Sequence, residues 1–336
     1  MGQNPPSRLV SRNDRQVVPG DEKGGSIANQ NSAIRIVPQG EVPGGVGEPP
    51  ALRLADPSVF FSDRASRFAS LAASGHADQS FLLLMERVAQ AQQLALDAHP
   101  ASRAIDATKL ELCHLHALPP LPKDGARDAA WRGALAEIID EVMDAAPAPA
   151  QAVLRQLQYA SGAQLDAMAD RLLAFDYPAL DPIAVAFLGA ALQVHWVKRA
   201  HGCGEASFRK LDIPAICPVC GSPPVASVLR IDIPVPGARY LCCTLCGTDW
   251  HFSRGQCTQC DSREKIAYYH IEGGSTAIKA EACEDCRGYL KILNREQDPL
   301  ADPVADDLAS LALDVLMDES GYERLSPNLL FVPGQS

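Results

Sequence analysis

Four Cys-x-x-Cys pairs within a stretch of seventy residues constrain this 336-residue chain more than any other feature. They are Cys217/Cys220, Cys243/Cys246, Cys257/Cys260 and Cys283/Cys286. Each cysteine of the first two pairs has a counterpart forty positions later, and twenty-two residues separate the second and third cysteines of each half. This is a tandem repeat. In the same register Ser222 matches Ser262, Arg239 matches Lys279 and Trp250 matches Leu290. A Cys-x-x-Cys turn lets two thiolates converge on one ion, and two such knuckles joined by a strand pair complete a tetrahedral four-sulfur site. A unit of this size buries too little apolar surface to fold unaided, and a metal can supply the missing free energy. The repeat therefore predicts two rubredoxin-like or zinc-ribbon units. One ion would be held by Cys217, Cys220, Cys243 and Cys246, the other by Cys257, Cys260, Cys283 and Cys286. Spacing alone leaves a cross-braced pairing open; the repeat favours the sequential one.

Other readings of the cysteines are weaker. Disulfides do not require two equal copies, and thioredoxin-type exchange needs a reactive pair at a helix start in a βαβ setting. The repeat also resolves the adjacent Cys242 and Cys243: Cys242 aligns with Ala282, so it is a packing residue and Cys243 the ligand. Cys113 and Cys203 lack partners at ligand spacing, and Cys113-His114-Leu115-His116 precedes a proline-rich loop. His251 beside Trp250 is expected to form a packed aromatic pair.

Outside the repeat the chain divides into further segments. Residues 1–50 contain fifteen Gly or Pro and no aromatic residue, so most are expected to be mobile, with a short β-like run at 33–37. Residues 51–205 have helical periodicity: Phe81, Leu84, Met85, Val88, Gln92 and Ala95 recur every three or four positions after a cap at Asp78. Further helices are expected over 127–145, 150–174 and 182–200, separated by prolines. Residues 206–256 and 257–297 are the two ribbon units, with strand alternation at Leu229, Ile231 and Ile233 and at Ile278, Ala280 and Ala282. Residues 298–336 are expected to hold one docking helix, capped at Asp302-Pro303 and ending at Gly321. Its apolar face would be Val304, Leu308, Leu311, Val315 and Leu316, with Asp306, Asp307, Ser310 and Asp314 on a solvated side. The fold class is α+β.

Composition narrows the function classes. A net charge of −11 and a pI near 5.2 argue against phosphate-neutralising nucleic-acid binding, and positions 205–296 hold 11 Lys/Arg against 11 Asp/Glu. The longest apolar run, 183–197, is too short to cross a bilayer, and no signal-peptide core is visible, so a cytoplasmic protein without membrane insertion is expected. No phosphate-binding loop, zinc-protease helix or nucleophile elbow is present, and four thiolates leave no open coordination position. No enzymatic role is expected.

Several motifs bear a family resemblance. Cys217-Pro-Val-Cys-Gly-Ser-Pro-Pro-Val, Arg239-Tyr-Leu-Cys-Cys-Thr-Leu-Cys and Trp250-His251 resemble the formate dehydrogenase accessory protein (FdhE) family. So do Ile278-Lys-Ala-Glu-Ala-Cys-Glu-Asp-Cys, Tyr289-Leu-Lys-Ile, Ala305-Asp-Asp-Leu-Ala-Ser-Leu-Ala-Leu-Asp, Phe187-Leu-Gly-Ala-Ala-Leu-Gln and Ser326-Pro-Asn-Leu-Leu. The start at Ile34-Arg-Ile-Val-Pro-Gln looks similar too, with about the first thirty residues as an extension. The resemblance implies a cytoplasmic maturation factor for respiratory formate dehydrogenase that contacts its molybdenum-containing catalytic subunit. It also implies iron in rubredoxin-like sites, although zinc accepts the same four thiolates. A rubredoxin-like electron-transfer protein is the alternative reading.

Overall fold

A computed structural model describes residues 9–12, 47–98 and 105–331. The β-like run at 33–37 and most of the segment 1–50 lie outside these residues. Among the described residues seven helices lie ahead of the cysteine repeat: α1 (Phe60–Ala73), α2 (Gln79–Ala98), α3 (Ala107–Leu115), α4 (Ala130–Val142), α5 (Ala148–Tyr159), α6 (Gly162–Leu173) and α7 (Pro182–Cys203). Helix α7 is the axis of this half. Asp181 accepts hydrogen bonds from the amides of Ile183 (2.8 Å) and Ala184 (3.3 Å), and Pro182 occupies the first turn, where no amide donor is needed. Its apolar run is buried on every side against α2, α4, α5 and α6. Helix α2 begins just after Asp78, as its pattern predicts. Its buried stripe is Leu82, Met85, Val88, Ala89, Gln92 and Ala95, and Phe81 and Leu84 sit at the margin.

The single helix expected over 150–174 is two helices. Ala160 and Ser161 are extended, and Ser161 and Gln164 form a reciprocal capping box that starts α6. The hydroxyl of Ser161 accepts from the Gln164 amide (3.3 Å), an orphan donor of the new helix that a continuous helix would not have.

The strands form one continuous sheet, with both edge strands of its main order contributed from ahead of α1. Strands β1 (Leu9–Arg12), β2 (Leu52–Arg53), β3 (Pro224–Arg230), β4 (Ala238–Cys243), β5 (Asp249–His251), β6 (Ile266–Ile271), β7 (Ile278–Cys283) and β8 (Gly288–Asn294) run in the order β1-β6-β7-β8-β3-β4-β5-β2. A ninth, β9 (Glu323–Arg324), pairs with β8. The forty-residue repeat is visible here: β3-β4-β5 and β6-β7-β8 are successive antiparallel triplets, and β4 moved forty positions coincides with β7. The triplets join through a parallel β8–β3 pairing. Strand β3 ends at Arg230, and the alternating Ile231 and Ile233 fall in a turn, because Pro234 and Pro236 cannot donate to a ladder.

The C-terminal helix is also broken. It forms α8 (Ala305–Leu308) and α9 (Leu311–Glu319), with Asp302 capping the amides of Val304 (3.0 Å) and Ala305 (2.8 Å) as predicted. Lys291 donates to the carbonyls of Asp307 (2.9 Å) and Ser310 (3.1 Å), so side chains satisfy the groups the break exposes. The break rotates the apolar face: Leu313 and Met317 are buried, whereas Val315 is exposed. The acidic face is a further correction. Asp306 and Asp307 are fully buried, not solvated. Arg67 holds Asp306, and Arg324, Lys291 and Asn328 hold Asp307. Burial pushes the Asp306 carboxyl up; at Asp307 burial is outweighed by Arg324 and Lys291, and its carboxyl lies below the usual range.

Candidate metal centres

Eight cysteines form two quartets in the sequential grouping, and the cross-braced alternative is not adopted. The Sγ atoms of Cys217, Cys220, Cys243 and Cys246 lie within 4.8 Å of one another, as do those of Cys257, Cys260, Cys283 and Cys286. In the first quartet Cys217–Cys246 is 3.5 Å and Cys220–Cys243 3.4 Å. In the second, Cys257–Cys286 and Cys260–Cys283 are both 3.6 Å. Sulfurs at about 2.3 Å from a tetrahedral ion are roughly 3.8 Å apart, so the donor sets suit such an ion closely. No other group of metal-ligating side chains gathers among the described residues.

The knuckle geometry is local and repeated. The amide of Cys217 donates to the Ser222 carbonyl (2.9 Å), and that of Cys257 to the Ser262 carbonyl (2.9 Å). Leu245 and Cys246 amides point at Cys243 Sγ (3.4 and 3.3 Å), and the Gln259 amide at Cys257 Sγ (3.4 Å). Each knuckle closes on a residue with positive φ: Gly221 (+72°), Gly247 (+67°), Asp261 (+60°) and Arg287 (+60°).

The gathered thiols respond unequally to burial and to one another. Burial pushes Cys217 and Cys243 well above the usual thiol range. At Cys220 burial is outweighed by hydrogen bonds from Cys217, Cys243, Cys246 and Ser222, which hold it well below. In the second quartet burial pushes Cys257 up to about 12, while backbone donors from Cys286 and Asp285 overcome burial and lower Cys283. Four thiolates at these distances require positive charge among them.

The remaining candidates fall elsewhere. Cys242 is buried on β4 outside the quartet, and Cys113 and Cys203 join no ligand group. His251 does not pack on Trp250. Neighbours on a strand face opposite sides, so its ring meets Tyr240 edge-on (5.8 Å) on the paired strand, and Trp250 donates to the Pro214 carbonyl (2.9 Å).

Sequence reasoning missed what covers the first quartet. The proline-rich loop after α3, read as a mere separator, donates from Leu121 to the Val219 carbonyl (3.0 Å) and from Lys123 to the Cys220 carbonyl (2.9 Å). From α7, Gln193 donates to the Thr244 carbonyl (2.8 Å). The polar Gln193 within an apolar run was the available signal.

Similarity to known proteins follows this architecture. Family models described as FdhE N-terminal, FdhE central domain and FdhE C-terminal domain match residues 49–211, 216–254 and 256–331. The chain belongs to the FdhE family. A protein FdhE homolog of Stutzerimonas stutzeri is 39% identical over 304 residues, covering 89% of this chain and 98% of that one. The FdhE protein of Shigella boydii is 36% identical over 311 residues, covering 90% and 99%. The crystal structure of FdhE from Pseudomonas aeruginosa superposes with a TM-score of 0.73 at 37% identity, covering 84% of this chain and 99% of that one. The FdhE central stretch holds the first quartet, and the C-terminal stretch holds the second together with α8 and α9. Among the described residues no helix is long and apolar enough to cross a membrane.

Proposed function

We propose that this chain is a cytoplasmic accessory factor for the maturation of respiratory formate dehydrogenase, acting by binding its catalytic subunit rather than by turning over a substrate. Membership of the FdhE family across nearly the whole chain is the observation that supports this reading, because the resemblance of its motifs implies that role. Cys217, Cys220, Cys243 and Cys246 would hold one metal ion and Cys257, Cys260, Cys283 and Cys286 the other. Iron is favoured by the resemblance and zinc remains compatible with the same donors. A bound ion would cross-link two knuckles in each unit and, as iron, also supply one-electron chemistry. The two ribbon units would present the binding surface, without nucleic acid as a partner.

Co-purification from anaerobic extract tests the reading. A formate dehydrogenase catalytic subunit is expected to accompany the metal-loaded protein; its absence with both sites loaded would sink the partner assignment. Electron transfer is the second reading, favoured by the exposed Cys260 of the second quartet. Reversible ferric/ferrous cycling would support it, and a colourless protein holding two zinc ions would exclude it.

A further inference from the structure

A cavity of about 260 Å³ lies where the two repeats meet. Strands β3 and β8, which pair in parallel at that junction, form its floor through Leu229, Ile292 and Asn294, and β6 and β7 contribute Tyr268 and Lys279. Three cations line it: Arg239, Arg254 and Lys279. Arg239 and Lys279 occupy equivalent positions in the forty-residue repeat, so duplication followed by side-by-side sheet pairing has brought both copies of one cationic position to one cavity.

These cations are not all spent on the protein. Arg239 is 1% exposed; its terminal nitrogens bind the carbonyls of Ser253 (3.1 Å) and Gln256 (2.9 Å) and the carboxylate of Glu281 (2.5 Å). Its Nε is buried without a hydrogen-bond partner. Arg254 makes one hydrogen bond, to the Gly237 carbonyl (3.3 Å), and neither it nor Lys279 has a carboxylate at ion-pair distance among the described residues. Glu281 pairs with Arg239 and also feels the charge of Arg254, so three cations at the cavity face one carboxylate in a chain whose net charge is −11. A phosphoryl group carries roughly −1.5 to −2 at neutral pH, whereas a single carboxylate supplies half of that.

We propose that this cavity binds a phosphate-class oxyanion, either free or as the phosphoryl group of a small molecule. Arg254 and Lys279 supply the charge and the direct contacts, and Arg239, buried behind them, adds a third positive charge to the wall. The tetrathiolate centres are not involved, so the site goes beyond the proposed maturation role and stands or falls independently of it.

The test is calorimetric titration of the full metal-loaded chain with inorganic phosphate, pyrophosphate and adenosine monophosphate at low ionic strength, against chloride at equal ionic strength. One saturable site is expected that weakens as salt is raised. Arg254→Gln and Lys279→Gln are each expected to weaken it about tenfold while leaving metal content and thermal unfolding unchanged. Binding of inorganic phosphate identifies a free anion as sufficient; binding of the larger probes alone assigns a phosphorylated molecule. No binding above the chloride control, or binding unaffected by the combined Arg254→Gln/Lys279→Gln variant, overturns the proposal. So does saturable binding of an acidic peptide with none of the phosphate probes.

Discussion

The two cysteine quartets are copies of one motif placed in different surroundings. All four cysteines of the first are buried, and they belong to the same apolar core as α1, α2, α4 and α7. In the second, Cys260 is exposed and Cys286 half-buried. None of its cysteines joins that core, and strands β7 and β8 contribute instead to a small separate cluster of Ala280, Ala282, Tyr289, Leu313, Met317 and Tyr322. Local chain geometry is therefore shared while burial is not. The positive-φ residues record the difference. At Gly247 a Cβ would collide with the Phe60 ring, so only glycine fits. Its copy, Arg287, has open space and uses it: the guanidinium donates to the carbonyls of Gly321 (3.2 Å) and Ser320 (2.7 Å) and stacks 3.8 Å over Tyr322.

Paired cysteine substitutions test that contrast most severely. Small zinc sites contribute roughly 10–16 kcal/mol, against about 5–15 kcal/mol for the stability of a whole domain. Cys217→Ser/Cys220→Ser should therefore abolish the cooperative thermal transition. Cys257→Ser/Cys260→Ser should lose one of two metal equivalents, keep the main transition, and lose hydrogen-exchange protection chiefly in β6 and β7. Equal collapse of both variants would erase the distinction. Next in size, Arg67→Met strands the buried Asp306 and should cost about 3–5 kcal/mol in chemical denaturation. The exposed Lys265–Asp285 pair of the second unit offers the counterpart, and Lys265→Ala should leave the denaturation midpoint unmoved.

Gly247→Ala combines a left-handed backbone with the Phe60 clash and should cost about 2–4 kcal/mol. Asp261→Gly, at the copy of Gly221 in the second unit, relieves a left-handed backbone and should be neutral or stabilising by denaturant midpoint. A further contrast concerns pH. Burial, partly opposed by Asp128, lowers His195 on α7 from 6.5 to about 4. The unfolded chain then takes up a proton below pH 6.5 that the folded chain refuses, so stability falls as pH drops from 6.5 towards 4. The loss should be about 2 kcal/mol between pH 7 and 5, and His195→Gln should flatten that part of a stability–pH profile.

Much of this was legible in the chain. Forty-residue spacing identified both quartets and dismissed Cys242, because the knuckle is set by bonds within a few residues. The cap at Asp302 and the buried α7 were legible for the same reason. Two helices expected to be continuous are broken, at Ser161 and Ser310, because side-chain hydrogen bonds there compete with the helical ladder. The strand read through Ile231 and Ile233 failed where two prolines removed donors.

What required the tertiary structure was every property that depends on neighbours remote in sequence. Asp306 and Asp307 look like surface acids until Arg67 and Arg324 arrive from 239 and 17 residues away. The unequal burial of two equal quartets, and the meeting of Arg239 with Lys279, follow from how α1, α7 and the β8–β3 junction pack. The sequence by itself determined the two sulfur quartets, since thiolate spacing is a local matter. Which quartet is enclosed and which faces outward was decided by long-range packing, because desolvation is a property of everything that surrounds a group.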